Sequence, residues 1–287
     1  MENTLLISQN GLGDNLFMVG ALNYLLHFYQ YVFFLCKHKY YSNVIEFFPQ
    51  TLSKRIFVIP FNENRESEQL FHIATHNKST KDLLICGCHK TYIKSQITNT
   101  NYLASIAHRE VQKYEIVKSM NLDGYDFIEN FYKDIKLNLN HFVDYFTLPE
   151  TQESIKLYNS IKQYKIIFTQ IKSSTGHILD INNIIKKYKD NDEYIIICND
   201  KNIYKQSSSS CTFGEVRDGK GEKKSALAQK FVLNKIINYY TTILNSYKIK
   251  IIDSCFTGIV LPLHLGNKLK TKDVKIIKRE SCSQVKF

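Results

Sequence analysis

Short runs of continuous apolar character recur along this chain, each followed by a stretch of helical pattern, and the series starts afresh halfway along. Residues 4–8 (TLLIS), 31–36 (YVFFLC), 54–60 (KRIFVIP) and 82–86 (DLLIC) form the first series. Residues 165–171 (KIIFTQI), 194–198 (YIIIC), the segment around 250–252 and residues 273–277 (DVKII) form the second. A strand that is apolar on both sides must be covered on both faces, which is the situation of a parallel sheet sandwiched between helices. Helical pattern is expected over residues 15–29, 102–133, 180–188, 225–246 and 256–265. A chain of 287 residues is long enough for two ordinary cores. The expectation is an α/β protein of two doubly wound parallel-sheet domains, residues 1–150 and 151–287, with a linker over 147–163 that opens at Thr147, Leu148, Pro149 and Glu150. In such sheets ligands sit beyond the carboxyl ends of the strands, so the residues after each strand hold the chemistry.

Charge is unevenly placed. Residues 201–287 hold 17 Lys/Arg against 6 Asp/Glu, whereas residues 1–200 hold 21 of each, so the net +11 lies wholly in the last third. A basic region of this kind suits a phosphate-bearing ligand, a nucleic acid or an anionic membrane surface, or is simply a solvated face. The basic residues are interspersed instead of blocked, and no aromatic-basic recognition motif accompanies them, which argues against nucleic acid. Peripheral contact with an anionic membrane through this third is the expectation that stays open. No apolar run approaches the ~20 residues of a membrane-spanning helix. No basic stretch precedes the first apolar run, so a secretory signal is not expected and a cytoplasmic location is. Seven scattered cysteines fit free thiols in a reducing compartment. Residues 205–224 (KQSSSSCTFGEVRDGKGEKK) are polar and rich in Ser and Gly, and read as a surface loop or insertion.

Three post-strand segments could carry chemistry. The first is Gly11, Leu12, Gly13 and Asp14. Its glycines permit a tight turn and close approach of a ligand. Asp14 can cap the following helix, or serve as a general base at the sheet edge. A dinucleotide fingerprint would need a third glycine at Leu16, so that reading fails. The second segment is Lys172, Ser173, Ser174, Thr175 and Gly176, whose hydroxyls and lysine suit phosphate oxygens, although the P-loop spacing is missing. The third is Asp253, Ser254 and Cys255 before the apolar residues 256–265, a capping motif with or without a phosphate at the helix N-terminus. Cys86, Cys88, His89 and His108 have spacing too tight for a usual zinc site, so no metal is expected. Cys255 is a conceivable reactive thiol, but no His is near it in sequence.

Together the first and third segments resemble the glycosyltransferase superfamily that contains the lipopolysaccharide heptosyltransferases (glycosyltransferase family 9). Leu12, Gly13 and Asp14 match that family's turn after the first strand, and Gly20, Ala21 and Leu22 stand where it has Pro-Ala-Leu. Ile252, Asp253 and Ser254 match its Asp-Ser/Thr-Gly segment, and 261–266 (LPLHLG) continues it. Three positions depart: Cys255 replaces the family's Gly, Gly258 stands where it has His, and the Lys and Trp of its donor loop are missing from 172–180. The resemblance implies a GT-B fold, two Rossmann-like domains facing a cleft, and metal-independent inverting transfer from a nucleotide-diphosphate sugar to a glycan or other hydroxyl acceptor. It implies Asp14 as general base. Gly11, Gly13, Lys172, Ser173, Ser174, Thr175, Asp253, Ser254 and Cys255 would line the ligand sites. The departures leave a second possibility, a catalytically inactive nucleotide- or glycan-binding protein of the same fold.

Overall fold

The computed structural model describes residues 2–8, 11–48, 54–76, 79–87, 125–188, 191–200, 224–281 and 283–284, and elements are numbered over these. The chain divides into two compact units, Met1–Leu148 and Pro149–Phe287.

In the first unit, strands β1 (Glu2–Ile7), β2 (Tyr29–Lys37), β3 (Ile56–Phe61) and β4 (Asp82–Ile85) form a sheet of order β3-β2-β1-β4. Every pairing is parallel. Leu5, Leu6 and Ile7 of the central strand are each 0% exposed. Burial of side chains like these contributes about 1.5–3 kcal/mol apiece. One face of the sheet packs Leu5, Ile7, Leu35, Phe61, Leu70, Leu83 and Ile85 into a single cluster. Strand order reverses between β1 and β4, so the chain leaving β1 emerges at the topological switch point.

The helix expected over 15–29 is instead two short ones, α1 (Leu12–Phe17) and α2 (Val19–Leu25), and Tyr29 already belongs to β2. The break has a cause. The Tyr132 hydroxyl donates to the Phe17 carbonyl at 3.0 Å and accepts from the Ala21 N–H at 3.1 Å, so it sits where the i→i+4 bond would run. Tyr132 lies on α5 (Asp126–Asp134), is fully buried, and its phenol is held far above its ordinary range by that burial. The next helix pair is equally close. A Cβ on Gly20 would stand 2.3 Å from the carbonyl oxygen of His141, the first residue of α6 (His141–Asp144). The remaining helices of this unit are α3 (His38–Val44) and α4 (Glu66–His76). Most of the helical stretch expected over 102–133, residues 102–124, lies outside the described residues, as do Cys88, His89 and His108.

The second unit opens with a helix where a linker was expected. Thr151 caps α7 (Gln152–Asn159), its Oγ1 accepting from Ser154 N–H at 3.0 Å. A side-chain cap of this kind outweighs the loop character suggested by Pro149. Strands β5 (Lys165–Gln170), β7 (Tyr194–Cys198), β8 (Lys248–Ile252) and β9 (Val274–Ile277) form a second parallel sheet, order β7-β5-β8-β9. Here the order reverses between β5 and β8. A short strand, β6 (His177–Ile178), pairs antiparallel with β10 (Ser283–Gln284). Helices α8 (Asn182–Tyr188) and α11 (Thr257–Leu265) fall where the pattern put them. The helix expected over 225–246 is broken into α9 (Lys224–Gln229), a turn with Leu233 at φ 59°, a 3₁₀ turn at Ile236–Tyr239 and α10 (Tyr240–Leu244). The Tyr239 hydroxyl donates to the Phe231 carbonyl across that break. Of the polar segment at 205–224, only Lys224 is among the described residues.

Two side chains, buried Tyr132 and half-buried His141, make stability measurable. Tyr132→Phe would leave the Phe17 carbonyl and the Ala21 N–H without their buried partner, a loss expected at about 1–3 kcal/mol in urea unfolding of the full chain. His141 stacks on Tyr24 with ring centroids 3.6 Å apart, and its pKa is lowered, first by burial and then by His27, against the pull of Asp144. The unfolded ring takes a proton below about pH 6.5, where the folded one resists it. Stability should therefore fall as pH drops through that value, and His141→Phe should flatten the loss when urea midpoints are compared at pH 7.5 and pH 5.5.

Candidate functional site

Each unit presents polar residues at its switch point. In the first, β1 ends at Ile7, whose carbonyl accepts from Cys86 N–H at 2.9 Å, and buried Ser8 comes next. Gly11 is the N-cap of α1 in extended conformation (φ −74°, ψ 156°). Asp14, three residues on and half-buried, reaches back so that its Oδ2 accepts from Gly11 N–H at 2.9 Å. This is the carboxylate half of a capping box, and it satisfies a donor that the helix itself leaves orphaned. A Cβ at Gly11 would lie 2.7 Å from Asp14 Oδ2, so a side chain there would make the carboxylate shift. Gly13 sits half-buried in the first turn. Asn15, which sequence reasoning passed over, is 0% exposed. Its Nδ2 donates to the Gly11 carbonyl at 2.7 Å, and its Oδ1 has no partner among the described residues. Gly87, beyond β4, adopts φ 71° and donates its N–H to Asp134 Oδ2 at 3.0 Å.

In the second unit, the segments after β5 and β8 leave neighbouring strands, with Gln170 in register with Ile251. The sheet thus brings Lys172, Ser173, Ser174 and Thr175 to the same edge as Asp253, Ser254 and Cys255. The first group is a hairpin, not an open loop. Lys172 bridges Ile178, Ser173 N–H donates to the His177 carbonyl at 3.0 Å, and Gly176 N–H donates to the Ser173 carbonyl at 3.2 Å with Gly176 at φ 83°. Only Gly accepts that conformation without strain. Ser173 is 4% exposed, and its hydroxyl lies 3.0 Å from Thr175 Oγ1. Ser174 is exposed and Lys172 half-buried. His177, unremarked in the sequence, lies 2.9 Å from Thr175 Oγ1 through its Nδ1.

The second group is built around Thr257, the first residue of α11. Its Oγ1 donates to Asp253 Oδ1 at 3.1 Å and accepts from Ser254 N–H at 3.1 Å. Arg279 adds a second hold on Asp253, its Nε lying 3.2 Å from Oδ2 and 3.1 Å from the carbonyl oxygen. Burial raises the Asp253 pKa, with Arg279 and Thr257 pulling it down and Glu280 adding to the rise. Phe256, 1% exposed, anchors the turn on β5 with its ring centroid 5.3 Å from that of Phe168. Gln170 lies two residues further along the same face of β5. Two oxygens stand out here. Ser254 Oγ and Gln170 Oε1 are buried without a partner among the described residues, on side chains 6% and 7% exposed. Asn3 Oδ1, Asn15 Oδ1, Thr169 Oγ1 and Thr242 Oγ1 are in the same state, and Ser254 Oγ and Gln170 Oε1 are distinguished by their place at the switch point. Cys255 keeps some exposed surface, yet burial pushes its thiol up to about 11, which removes the reactive-thiolate reading at neutral pH. Gly258 is buried within α11. Among the described residues no group of three or more His, Cys, Asp or Glu could hold a metal ion, and no helix is long and apolar enough to cross a membrane.

The Thr257 hydroxyl should be what shapes the turn at 253–257. Thr257→Val, isosteric but without the hydroxyl, is expected to cost about 1–3 kcal/mol in urea unfolding, because both Asp253 and Ser254 N–H lose a buried partner.

By sequence, no family model and no curated protein matches this chain. By structure it does match solved proteins. It superposes on an ADP-heptose lipopolysaccharide heptosyltransferase II from E. coli with a TM-score of 0.53 and 10% identity, covering 98% of this chain and 93% of that one. It superposes on a glycosyltransferase of family 9 from Veillonella parvula with a TM-score of 0.55 and 9% identity, covering 96% of this chain and 80% of that one. At such identity the likeness is one of fold, and it extends over both units: the chain has the two-unit α/β fold of the heptosyltransferases and of glycosyltransferase family 9.

Proposed function

We propose that this protein is a glycosyltransferase that moves a sugar, with inversion, from a nucleotide-diphosphate sugar to the hydroxyl of a glycan or similar acceptor. The observation that carries the reading is the buried Ser254 hydroxyl, without a partner among the described residues, just before the N-terminus of the nine-residue helix α11. A helix N-terminus favours phosphate, and the Ser254 hydroxyl can donate to it. Lys172 and the hairpin hydroxyls after β5 lie on the neighbouring strand, so the diphosphate belongs to the second unit. Backbone N–H groups and hydroxyls would offset the charge that develops on the leaving diphosphate, with no metal required.

The acceptor belongs to the first unit, with Asp14 as the base that takes the proton of the attacking hydroxyl. The bond from Gly11 N–H orients the carboxylate. Exposed Lys270, Lys272 and Lys275, on and before edge strand β9, support contact with an anionic membrane, where acceptors of a glycolipid kind would be found.

Asp14→Asn tests the base, because the amide oxygen can still accept from Gly11 N–H while the basicity is lost. Turnover is expected to fall about 10²–10⁴-fold with nucleotide-sugar binding unchanged. Normal turnover would remove Asp14 from this role. One observation favours a second reading, an inactive binding protein of the same fold: the capping bond gives Asp14 a structural role that needs no catalysis. Thermal stabilisation by nucleotide sugars without turnover, across a broad acceptor panel, would select that reading.

A further inference from the structure

The chain beyond β9 turns back across the carboxyl edge of the second sheet. β9 is an edge strand, β8 is its neighbour, and β5 lies on the far side of β8. β8 and β9 end together, with Asp253 N–H donating to the Ile277 carbonyl at 2.8 Å. A 3₁₀ turn follows at Arg279–Ser281. Then comes β10, in which Ser283 pairs with Ile178 and Gln284 with His177, in the hairpin after β5. The segment therefore runs from β9 past the end of β8 to the hairpin of β5, a crossing of two strand spacings or about 10 Å. It meets both turns of this edge on the way.

Its hold on the turn at 253–257 is made by one residue. Arg279 Nε donates to the Asp253 carbonyl at 3.1 Å and lies 3.2 Å from Oδ2, while Thr257 holds Oδ1. The two side chains of the ion pair are 32% and 23% exposed, so removing the cation would leave a shielded carboxylate without its counter-charge. Glu280 beside it adds a like charge. The hold on the hairpin is made by backbone pairing. β6 is two residues long, and its other support is the local bonding of the hairpin, the Lys172–Ile178 bridge and the bond from Ser173 N–H to the His177 carbonyl. So short a pairing is marginal by itself, and an added strand steadies it.

We infer that residues 279–284 form a strap that ties the hairpin after β5 to the turn at 253–257, with Arg279 as its positioning residue acting through Asp253. The inference rests on the glycosyl-transfer reading only for the ligand that fills this edge. The tie itself belongs to the fold.

The test uses the full chain and has an arm that needs no ligand. Residue-resolved hydrogen exchange is compared in the native protein, Arg279→Met, Arg279→Lys, Asp253→Asn, the Asp253→Asn/Arg279→Met double variant, and Ser283→Pro/Gln284→Pro, which takes the N–H groups of β10 out of the pairing. Arg279→Met is expected to speed exchange about 10-fold at the Ser254 and Thr257 amides, and also at Ser173, Gly176 and Leu179 at the other end of the strap. The proline variant should act in the opposite direction, from the hairpin to the turn. Arg279→Lys should recover part of the protection. Asp253→Asn should recover most of it in the Arg279→Met background, because no carboxylate then lacks its counter-charge. Changes confined to the side that carries the substitution would overturn the strap, and additive losses in the double variant would overturn the action through Asp253. In the second arm, calorimetry with ADP, UDP, GDP and CDP should show affinity about 10-fold weaker in both Arg279→Met and the proline variant. Native affinity in both would overturn the positioning role. Exchange that spreads in both directions, with no nucleoside diphosphate bound by the native chain, would uphold the strap and overturn the nucleotide-sugar reading.

Discussion

Both units depend on one constraint: a central strand hydrogen-bonded in parallel on its two sides. β1 pairs with β2 and β4, and β5 pairs with β7 and β8. Within such a strand every backbone donor and acceptor is committed, and the side chains are covered above and below. The chain regains polar freedom only where the strand ends. That is why, within each unit, the polar residue at the end of the central strand (Ser8 in the first, Gln170 in the second) and the turn beyond it lie at the carboxyl edge of that unit's own sheet, beside its order reversal.

The two units leave their central strands in different ways. After β1 the chain enters a short helix whose orphaned N-cap donor is met by Asp14, and whose continuation is cut by the Tyr132 hydroxyl. The base proposed for catalysis is thus also part of the local scaffold, and its capping bond fixes its direction. After β5 the chain folds back on itself as a hairpin, and hydroxyls that could have faced solvent are engaged with one another and with His177. The neighbouring turn at 253–257 is closed by Thr257 and Arg279, and among the described residues Ser254 Oγ and Gln170 Oε1 are left without a partner. The site proposed for the second unit is therefore built from few polar atoms.

Charge adds a layer that the fold does not require. Ion pairs such as Lys248–Asp273 and Lys165–Glu193 lie at the surface, where they contribute little to stability. Lysines along edge strand β9 discourage pairing with another chain and at the same time give this edge a positive field. The basic surplus of the last third matters for what the protein meets more than for how it folds.

Much of this was legible in the residues. Unbroken apolar runs such as 194–198 declare a strand covered on both faces, since no other strand environment tolerates them, and the glycines before Asp14 and the hydroxyls after β8 mark turns by local chemistry alone. Local pattern was enough for the eight strands of the two parallel sheets and for the post-strand turns to inspect, but not for the short antiparallel pair β6 and β10. Packing was needed to set Tyr132 against the first helix from 115 positions away, Arg279 on Asp253 from 26 positions away, and His177 beside the hydroxyls of Ser173 and Thr175. The difference is one of range. Hydrophobic periodicity and turn propensity act between residues a few positions apart, whereas these contacts form once packing has brought distant segments together, and nothing in the local pattern anticipates which buried polar group will meet which.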